Sequence, residues 1–344
     1  MDEVIKCIKA IYFSDVSKMS IERKLSFFAE TRHSYGRTAL FLSGGASFGK
    51  WHFGMIKALY EQDLFPRIIA GSSIGALIGS IICTTDYSEM PTFFDPHNVF
   101  DKPIVGFLSK TKAEFVKKFL AGEPVLDTQV LKDYIIQFTG DITFKEAFDK
   151  YGWNLNITVT DNSMQMDSRL LNYLTSPNVI IWSAALASTA IPGMFQVVNL
   201  MQKLQDGSII PYDPSSSRMS YVDGSVGSDL PLNRIAELFN VNTFLVSQVN
   251  PYVIPFLSVD TGEVMCKRPQ KRLINALKSM QGDTIKYSCK MLQHMGLFPD
   301  SMREFHGKMT QNYKGHVTVV PIPSLNDYKN ILQNLDPRTI NDDV

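Results

Sequence analysis

Residues 67–79, RIIAGSSIGALIG, decide how the rest of the chain is interpreted. Two isoleucines predict a short buried strand, a turn rich in glycine follows, and a helix of small residues begins directly after it. Ser73 lies at the centre of a G-x-S-x-G pattern, between Gly71 and Gly75. Such a turn exposes the serine hydroxyl near the positive end of the helix, and side chains at the glycine positions would collide with neighbouring backbone. The pattern predicts a nucleophile, although a plain tight turn fits the same residues.

A second glycine-rich turn lies one helix earlier. Residues 38–42 are apolar, residues 43–49 read SGGASFG, and a helical pattern follows. With the strand at 68–69 this order predicts a β-α-β unit of parallel strands. Strands continue to alternate with helices further along the chain, which predicts an α/β fold with a mostly parallel sheet.

This glycine loop admits three interpretations. The spacing of Gly44, Gly49 and Lys50 matches a phosphate-binding loop, but Trp51 stands where the magnesium-binding Ser or Thr is required. A dinucleotide fingerprint is also disfavoured, since Ala46 replaces its second glycine. Backbone N–H groups of a glycine loop at a helix start can instead stabilise a developing negative charge. An oxyanion hole next to the nucleophile is therefore the favoured interpretation.

A nucleophilic serine requires a general base. Asp223 follows an apolar pair and precedes Gly224, which allows close backbone approach, although Asp-Gly is also a common turn. The order Ser, Asp, His of α/β-hydrolases leaves a triad open. Three histidines late in the chain are its candidates: His294, His306 and His316.

Composition limits the function further. The chain has 344 residues with 34 basic and 34 acidic side chains, and a net charge of zero gives no reason to expect nucleic-acid binding. The four cysteines lack metal-ligand spacing, and the N-terminus lacks the pattern of a signal peptide. Residues 68–85 are uncharged, but their glycines and turn favour a buried strand and helix over a membrane span. We therefore expect a cytoplasmic globular protein.

Residues 42–49, 71–75 and 223–225 together resemble the patatin-like phospholipases. Residues 28–40 and 215–225 are similar to the intracellular triacylglycerol lipase branch of fungi and plants. The resemblance implies a patatin-like three-layer α/β/α fold with a mostly parallel central sheet and a nucleophile elbow. It also implies a serine lipid acyl hydrolase, a carboxylic ester hydrolase that acts through an acyl-enzyme on neutral glycerides first and phospholipids second.

The resemblance further implies a Ser–Asp dyad without histidine, with Ser73 as nucleophile and Asp223 as general base. Backbone amides of three residues are the implied oxyanion donors: Gly44, Gly45 and Ala46. Three glycines support the motifs: Gly71, Gly75 and Gly224. No metal or cofactor is implied. The alternatives are a catalytically silent lipid-surface scaffold and a lysophospholipid acyltransferase, whose His-x4-Asp motif is missing because His97 and Asp101 are one residue too near.

The expected organisation is an N-terminal helical cover (1–36), a catalytic domain (37–335) whose part from about 236 completes the sheet, and a tail (336–344). Residues 86–127, rich in proline, predict a lid, a substrate-entry wall or a surface excursion. Residues 264–282 are basic and amphipathic, which is typical of a helix lying on a membrane or lipid droplet, or of a solvated helix face. The expected partner is a lipid ester, with no nucleic acid; the sequence does not predict the oligomeric state.

Overall fold

The computed structural model of the chain describes residues 2–94, 128–161, 168–190, 198–212, 221–223, 230–257, 313–324 and 327–328. Its α-helices are α1 (Asp2–Tyr12), α2 (Ile21–Tyr35), α3 (Lys50–Glu61), α4 (Ile74–Cys83), α5 (Thr128–Thr139), α6 (Phe144–Tyr151), α7 (Ile181–Thr189) and α8 (Leu232–Phe239). Short 3-10 helices span Ala46–Gly49, Tyr87–Phe94 and Ile254–Phe256. The strands are β1 (Arg37–Leu42), β2 (Ile68–Gly71), β3 (Asn154–Asp161), β4 (Ser168–Leu171), β5 (Met201–Lys203), β6 (Ile209–Pro211), β7 (Tyr221–Asp223), β8 (Val241–Ser247) and β9 (Val317–Val319).

Seven of these strands form one sheet. Its order is β4-β3-β2-β1-β8-β9, and β7 also pairs with β3. The strands from β3 to β9 along this path are parallel, whereas β4 and β7 run antiparallel to β3. β5 and β6 form a separate antiparallel pair. The predicted β-α-β unit is present as β1, α3 and β2, with Leu42 opposite Gly71 at the carboxyl end of both strands.

Helices cover both faces of the sheet. Alternate residues of β1 face opposite sides, as the period of a strand requires. Leu40 and Leu42 belong to a core with residues of α3, α4, α5 and α7, whereas Ala39 and Phe41 pack in a second core with α8. Apolar burial on both faces explains why these strands lack polar alternation. The predicted α/β fold with a mostly parallel sheet is confirmed.

The N-terminal segment, for which a helical cover is predicted, forms the two helices α1 and α2. Ser20 caps α2, since its hydroxyl accepts a hydrogen bond from the backbone N–H of Arg23 at 3.4 Å. Neither α1 nor α2 contains a buried residue. Asn240 anchors the end of α2, because its side-chain amide donates to the carbonyl of His33 at 2.7 Å. That these helices form a cover remains a prediction.

Candidate active site

Ser73 lies in the sharp turn between β2 and α4. Its backbone has φ 54° and ψ −124°, a conformation that L-residues rarely adopt and that concentrates at functional sites. A Cβ on Gly71 would lie 2.3 Å from the carbonyl oxygen of Gly75, and a Cβ on Gly75 would lie 2.1 Å from that of Leu42. Both distances are well inside van der Waals contact. The turn therefore excludes any side chain at both glycine positions.

The glycine loop adjoins this turn. It follows β1, the strand paired with β2, and the N–H of Ser72 donates to the carbonyl of Leu42 at 3.2 Å. Gly44 lies two residues beyond Leu42, and Ser73 lies two residues beyond Gly71, so both occupy the same edge of the sheet on strands about 4.8 Å apart. Gly45 and Ala46 are partly exposed at this edge.

Asp223 reaches the same edge from the opposite direction. On β3, Ile157 pairs with both Gly71 and Leu171, and Val159 pairs with both Asp223 and Arg169. Since β4 occupies one side of β3 through this stretch, β2 and β7 must share the other side. β2 runs parallel to β3 and β7 runs antiparallel, so the carboxyl ends of β2 and β7 face each other.

The gap between these strand ends is short. Gly71 and Asp223 lie opposite positions two residues apart on β3, about 7 Å along a strand. Ser73 follows Gly71 at this gap. Both groups are withdrawn from solvent, with Ser73 7% and Asp223 2% exposed. Asp223 is held by its backbone, because its N–H donates to the carbonyl of Ala190 at 2.9 Å and its carbonyl accepts from the hydroxyl of Thr160 at 3.0 Å.

Ser188 is a residue of the site that the sequence motifs do not include. Its fully buried hydroxyl accepts a hydrogen bond from the N–H of Ser73 at 3.0 Å and donates to the carbonyl of Thr158 at 2.6 Å. Thr158 lies between the β3 residues that face Gly71 and Asp223. The end of α7 therefore ties the strained backbone of Ser73 to β3, the strand with which the Asp223 strand β7 pairs. The small residues of α7 were the available signal, because they permit close packing.

The histidine candidates do not join this site in the described part of the chain. His316 precedes β9, where its Nδ1 accepts a hydrogen bond from the N–H of Phe244 at 3.0 Å. Phe244 pairs with Ala39 at the amino-terminal half of β1, so His316 lies towards the opposite edge of the sheet from Ser73. The remaining predictions on His97, Asp101, Gly224, His294 and His306, and on residues 264–282, lie outside the described residues.

Among the described residues, no group of three or more His, Cys, Asp or Glu side chains is placed to hold a metal ion. In the same ranges, each helix is too short or too polar to cross a membrane.

Comparison with known proteins agrees with this geometry. A family profile described as patatin-like phospholipase matches residues 40–235, a range that contains the elbow, the glycine loop and Asp223. The chain belongs to the patatin-like phospholipase family. The resemblance inferred from the three motifs is confirmed.

Relatives of this patatin-like chain include three named lipases. Triacylglycerol lipase SDP1L of Arabidopsis thaliana is 38% identical over 97% of this chain and 42% of its own length. Triacylglycerol lipase 4 of Saccharomyces cerevisiae is 36% identical over 86% of this chain and 34% of its own length. Triacylglycerol lipase ptl3 of Schizosaccharomyces pombe is 30% identical over 98% of this chain and 69% of its own length. The chain thus spans less than half the length of the first two. Among solved structures, VipD from Legionella pneumophila matches with a TM-score of 0.35 and 14% identity over 62% of this chain and 50% of its own.

Proposed function

We propose that this chain hydrolyses lipid acyl esters with a Ser73–Asp223 dyad. The Oγ of Ser73 attacks the ester carbonyl and its proton passes to the Asp223 carboxylate. Backbone N–H groups of Gly44, Gly45 and Ala46 stabilise the tetrahedral oxyanion. Collapse of this intermediate breaks the ester bond, and the departing alcohol takes the proton from Asp223. Water then attacks the acyl-enzyme with Asp223 again as base, which releases the fatty acid and restores Ser73.

The end-to-end arrangement of β2 and β7 on β3 is the observation that carries the proposal. It sets a strained serine and a buried carboxylate at one gap, beside a glycine loop on the adjacent strand. Strain at Ser73 costs folding free energy, about 1–3 kcal/mol for such a conformation, which a purely structural turn with glycine at that position would avoid. The presence of serine rather than glycine at this strained position is explained if its hydroxyl is required for the reaction.

Neutral glycerides are the proposed substrates. Two relatives that match nearly all of this chain, one from Arabidopsis thaliana and one from Schizosaccharomyces pombe, carry the name triacylglycerol lipase, which supports glycerides ahead of phospholipids. Triacylglycerols are insoluble, so the enzyme must work at a lipid surface. We place that contact on residues 264–282, on the basis of their basic amphipathic sequence. Charge reversal at Lys267, Arg268, Lys271 and Arg272 should abolish binding to droplets or anionic vesicles; unchanged binding would exclude this segment.

Covalent labelling tests the nucleophile. A fluorophosphonate probe should label Ser73, and Ser73→Ala should lose both labelling and ester hydrolysis. Ser72→Ala is the matched control, because the Ser72 hydroxyl is fully buried and has no hydrogen-bond partner in the described structure. Hydrolysis that survives in Ser73→Ala rejects the proposal, and a wild-type chain without turnover on any ester favours a silent scaffold.

The carboxylate is tested by a second pair of variants. Asp223→Asn should lower kcat about 10²- to 10⁴-fold, the usual contribution of a general base. Asp161→Asn is its control, since Asp161 is also buried but faces Tyr221 at the far end of β7 and lies 3.8 Å from Arg169. Equal losses in both variants would indicate a general effect of removing a buried carboxylate rather than a base at Asp223.

A further inference from the structure

His52 lies in the first turn of α3 and is fully buried against the start of the glycine loop. The proposed reaction does not use it. Its Nε2 lies 3.0 Å from the carbonyl oxygen of Ser43, and its Nδ1 lies 2.7 Å from the hydroxyl of Ser247 at the end of β8. Both ring nitrogens are therefore engaged by polar groups at the edge of the sheet where the loop begins.

These contacts determine the protonation of the ring. A carbonyl oxygen can only accept, so Nε2 must carry a hydrogen and donate it to Ser43. Burial lowers the pKa of His52 to about 4, which leaves the ring neutral at pH 7. Nδ1 of the neutral ring then accepts from the hydroxyl of Ser247. The environment selects one tautomer in which Nε2 is the donor.

The carbonyl that His52 holds belongs to the first peptide of the loop. The Ser43–Gly44 peptide carries the oxygen of Ser43 at one end and the N–H of Gly44 at the other. A trans peptide is planar, and the described residues contain no cis peptide bond, so fixing the carbonyl also fixes the direction of that N–H. Gly44 is the first of the three proposed oxyanion donors.

Ser43 restrains the next peptide in the same way. Its hydroxyl accepts from the N–H of Val249 at 2.8 Å and donates to the carbonyl of Gly44 at 3.1 Å. That carbonyl shares a peptide plane with the N–H of Gly45, the second proposed donor. Two consecutive loop peptides are thus held by side chains that are themselves hydrogen-bonded to Ser247 at the end of β8 and to Val249 just beyond it.

We propose that His52 and Ser43 are positioning residues for the oxyanion loop, which they hold by the carbonyl oxygens of two successive peptides. This inference rests on the proposed hydrolysis, because it assigns the loop its role from that reaction. Neither side chain touches the substrate. Their effect is to keep the amide groups of Gly44 and Gly45 in one orientation before the substrate arrives, so that no reorganisation is required in the transition state.

Two isosteric variants of His52 separate positioning from packing. The amide nitrogen of Gln can occupy the place of Nε2 and donate to Ser43, whereas that of Asn reaches only the place of Nδ1. His52→Asn should lower kcat about 10- to 100-fold, part of the loss expected when an oxyanion donor is removed. KM of His52→Asn for a short-chain ester should stay within about twofold of wild type, since ground-state contacts are unchanged. The kcat of His52→Gln should remain within about threefold of wild type, because this variant keeps a donor for Ser43.

Inhibitors report the oxyanion directly. A trifluoromethyl ketone forms a tetrahedral adduct with the serine, whereas an ether analogue of the same chain length binds without forming an oxyanion. In His52→Asn the ketone should weaken by about the same factor as kcat, and the ether by less than about twofold. Equal weakening of both inhibitors, or equal loss in the Gln and Asn variants, would show a structural role and overturn the proposal.

Milder variants keep the test valid if His52→Asn does not fold. Ser247→Ala removes the partner of Nδ1, and Ser43→Ala removes the restraint on the second peptide together with the acceptor of the Val249 N–H. Each should lower kcat about 3- to 10-fold with the same inhibitor pattern. Ser73→Ala is measured alongside. Wild-type kcat in the positioning variants with an inactive Ser73→Ala rejects this inference alone, whereas hydrolysis by Ser73→Ala rejects the proposed function.

Discussion

The helices α1 and α4 both carry apolar residues but differ in how far these residues are buried. Every residue of α4 except Ile74 is buried, and its glycines allow the carbonyl of Leu42 to approach the helix backbone. α1 also carries an apolar stripe, yet none of its residues is buried, and Ile5 remains 44% exposed. Apolar spacing thus predicts a helix in both places. Small residues, which determine how close a neighbour can come, distinguish the helix that joins the core.

The largest loss of stability is expected when a Cβ is added at Gly75 of α4, where the packing against β1 is closest. Gly75→Ala sets a methyl group 2.1 Å from the carbonyl oxygen of Leu42, and a backbone oxygen cannot rotate away. We expect a loss of at least about 4 kcal/mol in the free energy of unfolding, or failure to fold. The reverse change on exposed α2, Ala29→Gly, should cost only about 1 kcal/mol. Urea titration of both variants checks the difference; a stable Gly75→Ala would mean that the turn can relax.

Acid should also affect the buried region more than the helical N-terminus. The pKa of His52 is about 4 in the folded chain and about 6.5 when unfolded, because burial opposes the charged form. Between these values the unfolded state binds more protons, so stability is complete above pH 6.5 and falls as pH decreases towards 4. The loss should reach about 3 kcal/mol.

A variant isolates this contribution. Between pH 4 and 6.5, the unfolding free energy of His52→Gln should depend less on pH than that of wild type. Unfolding free energies at several pH values in one buffer series provide the measurement. Parallel profiles for wild type and His52→Gln would contradict a neutral buried ring.

Removal of the Ser188 hydroxyl should have an intermediate effect. Ser188→Ala deprives the N–H of Ser73 and the carbonyl of Thr158 of their partner, and buried groups left unpaired cost about 1–3 kcal/mol. Hydrolysis should fall as well, because the backbone of Ser73 loses its tie to β3. Ser26→Ala, which removes an exposed contact to Glu30, should change stability by less than about 0.5 kcal/mol. Thermal unfolding and initial rates of hydrolysis, measured for both variants, test this prediction. Full activity in Ser188→Ala would show that the contact serves stability alone.

The smallest effect is expected at the cap of α2. Ser20→Ala should cost about 1 kcal/mol, since one N–H of the first turn loses its acceptor. The effect should stay local, because α2 contributes no buried side chain. Amide hydrogen exchange should accelerate in residues 21–35 and remain unchanged in β2 and α4. Faster exchange in the sheet would show that α1 and α2 stabilise the core, as the predicted cover requires.

Local features of the sequence were sufficient to predict much of this fold. The elbow, the glycine loop and the alternation of strands and helices each depend on neighbouring residues, and all three were read correctly as structure. The contacts that complete the candidate site join distant residues. Ser188 meets Ser73 across 115 positions, and His52 meets Ser247 across 195.

Such contacts depend on strand order and register, which no short pattern specifies. β7 shows the difficulty, because a three-residue strand has no periodicity to detect. His316 shows a second difficulty: the chain order Ser, Asp, His left a triad open, but the structure places His316 towards the other edge of the sheet. Chain order alone does not determine which edge of a sheet a residue reaches.

The pairing of β7 with β3 has a consequence for control of the proposed activity. In the part of the chain that the structure describes, three residues of β7 pair with β3, and Tyr221 also forms a bridge with Val198, which lies outside the sheet. Successive side chains of a strand point to opposite faces, so a slip of one residue would turn the Asp223 carboxylate away while β2 and α4 kept Ser73 in place. On the proposed mechanism, the position of the general base therefore depends on the register of β7, whereas that of the nucleophile depends on β2 and α4.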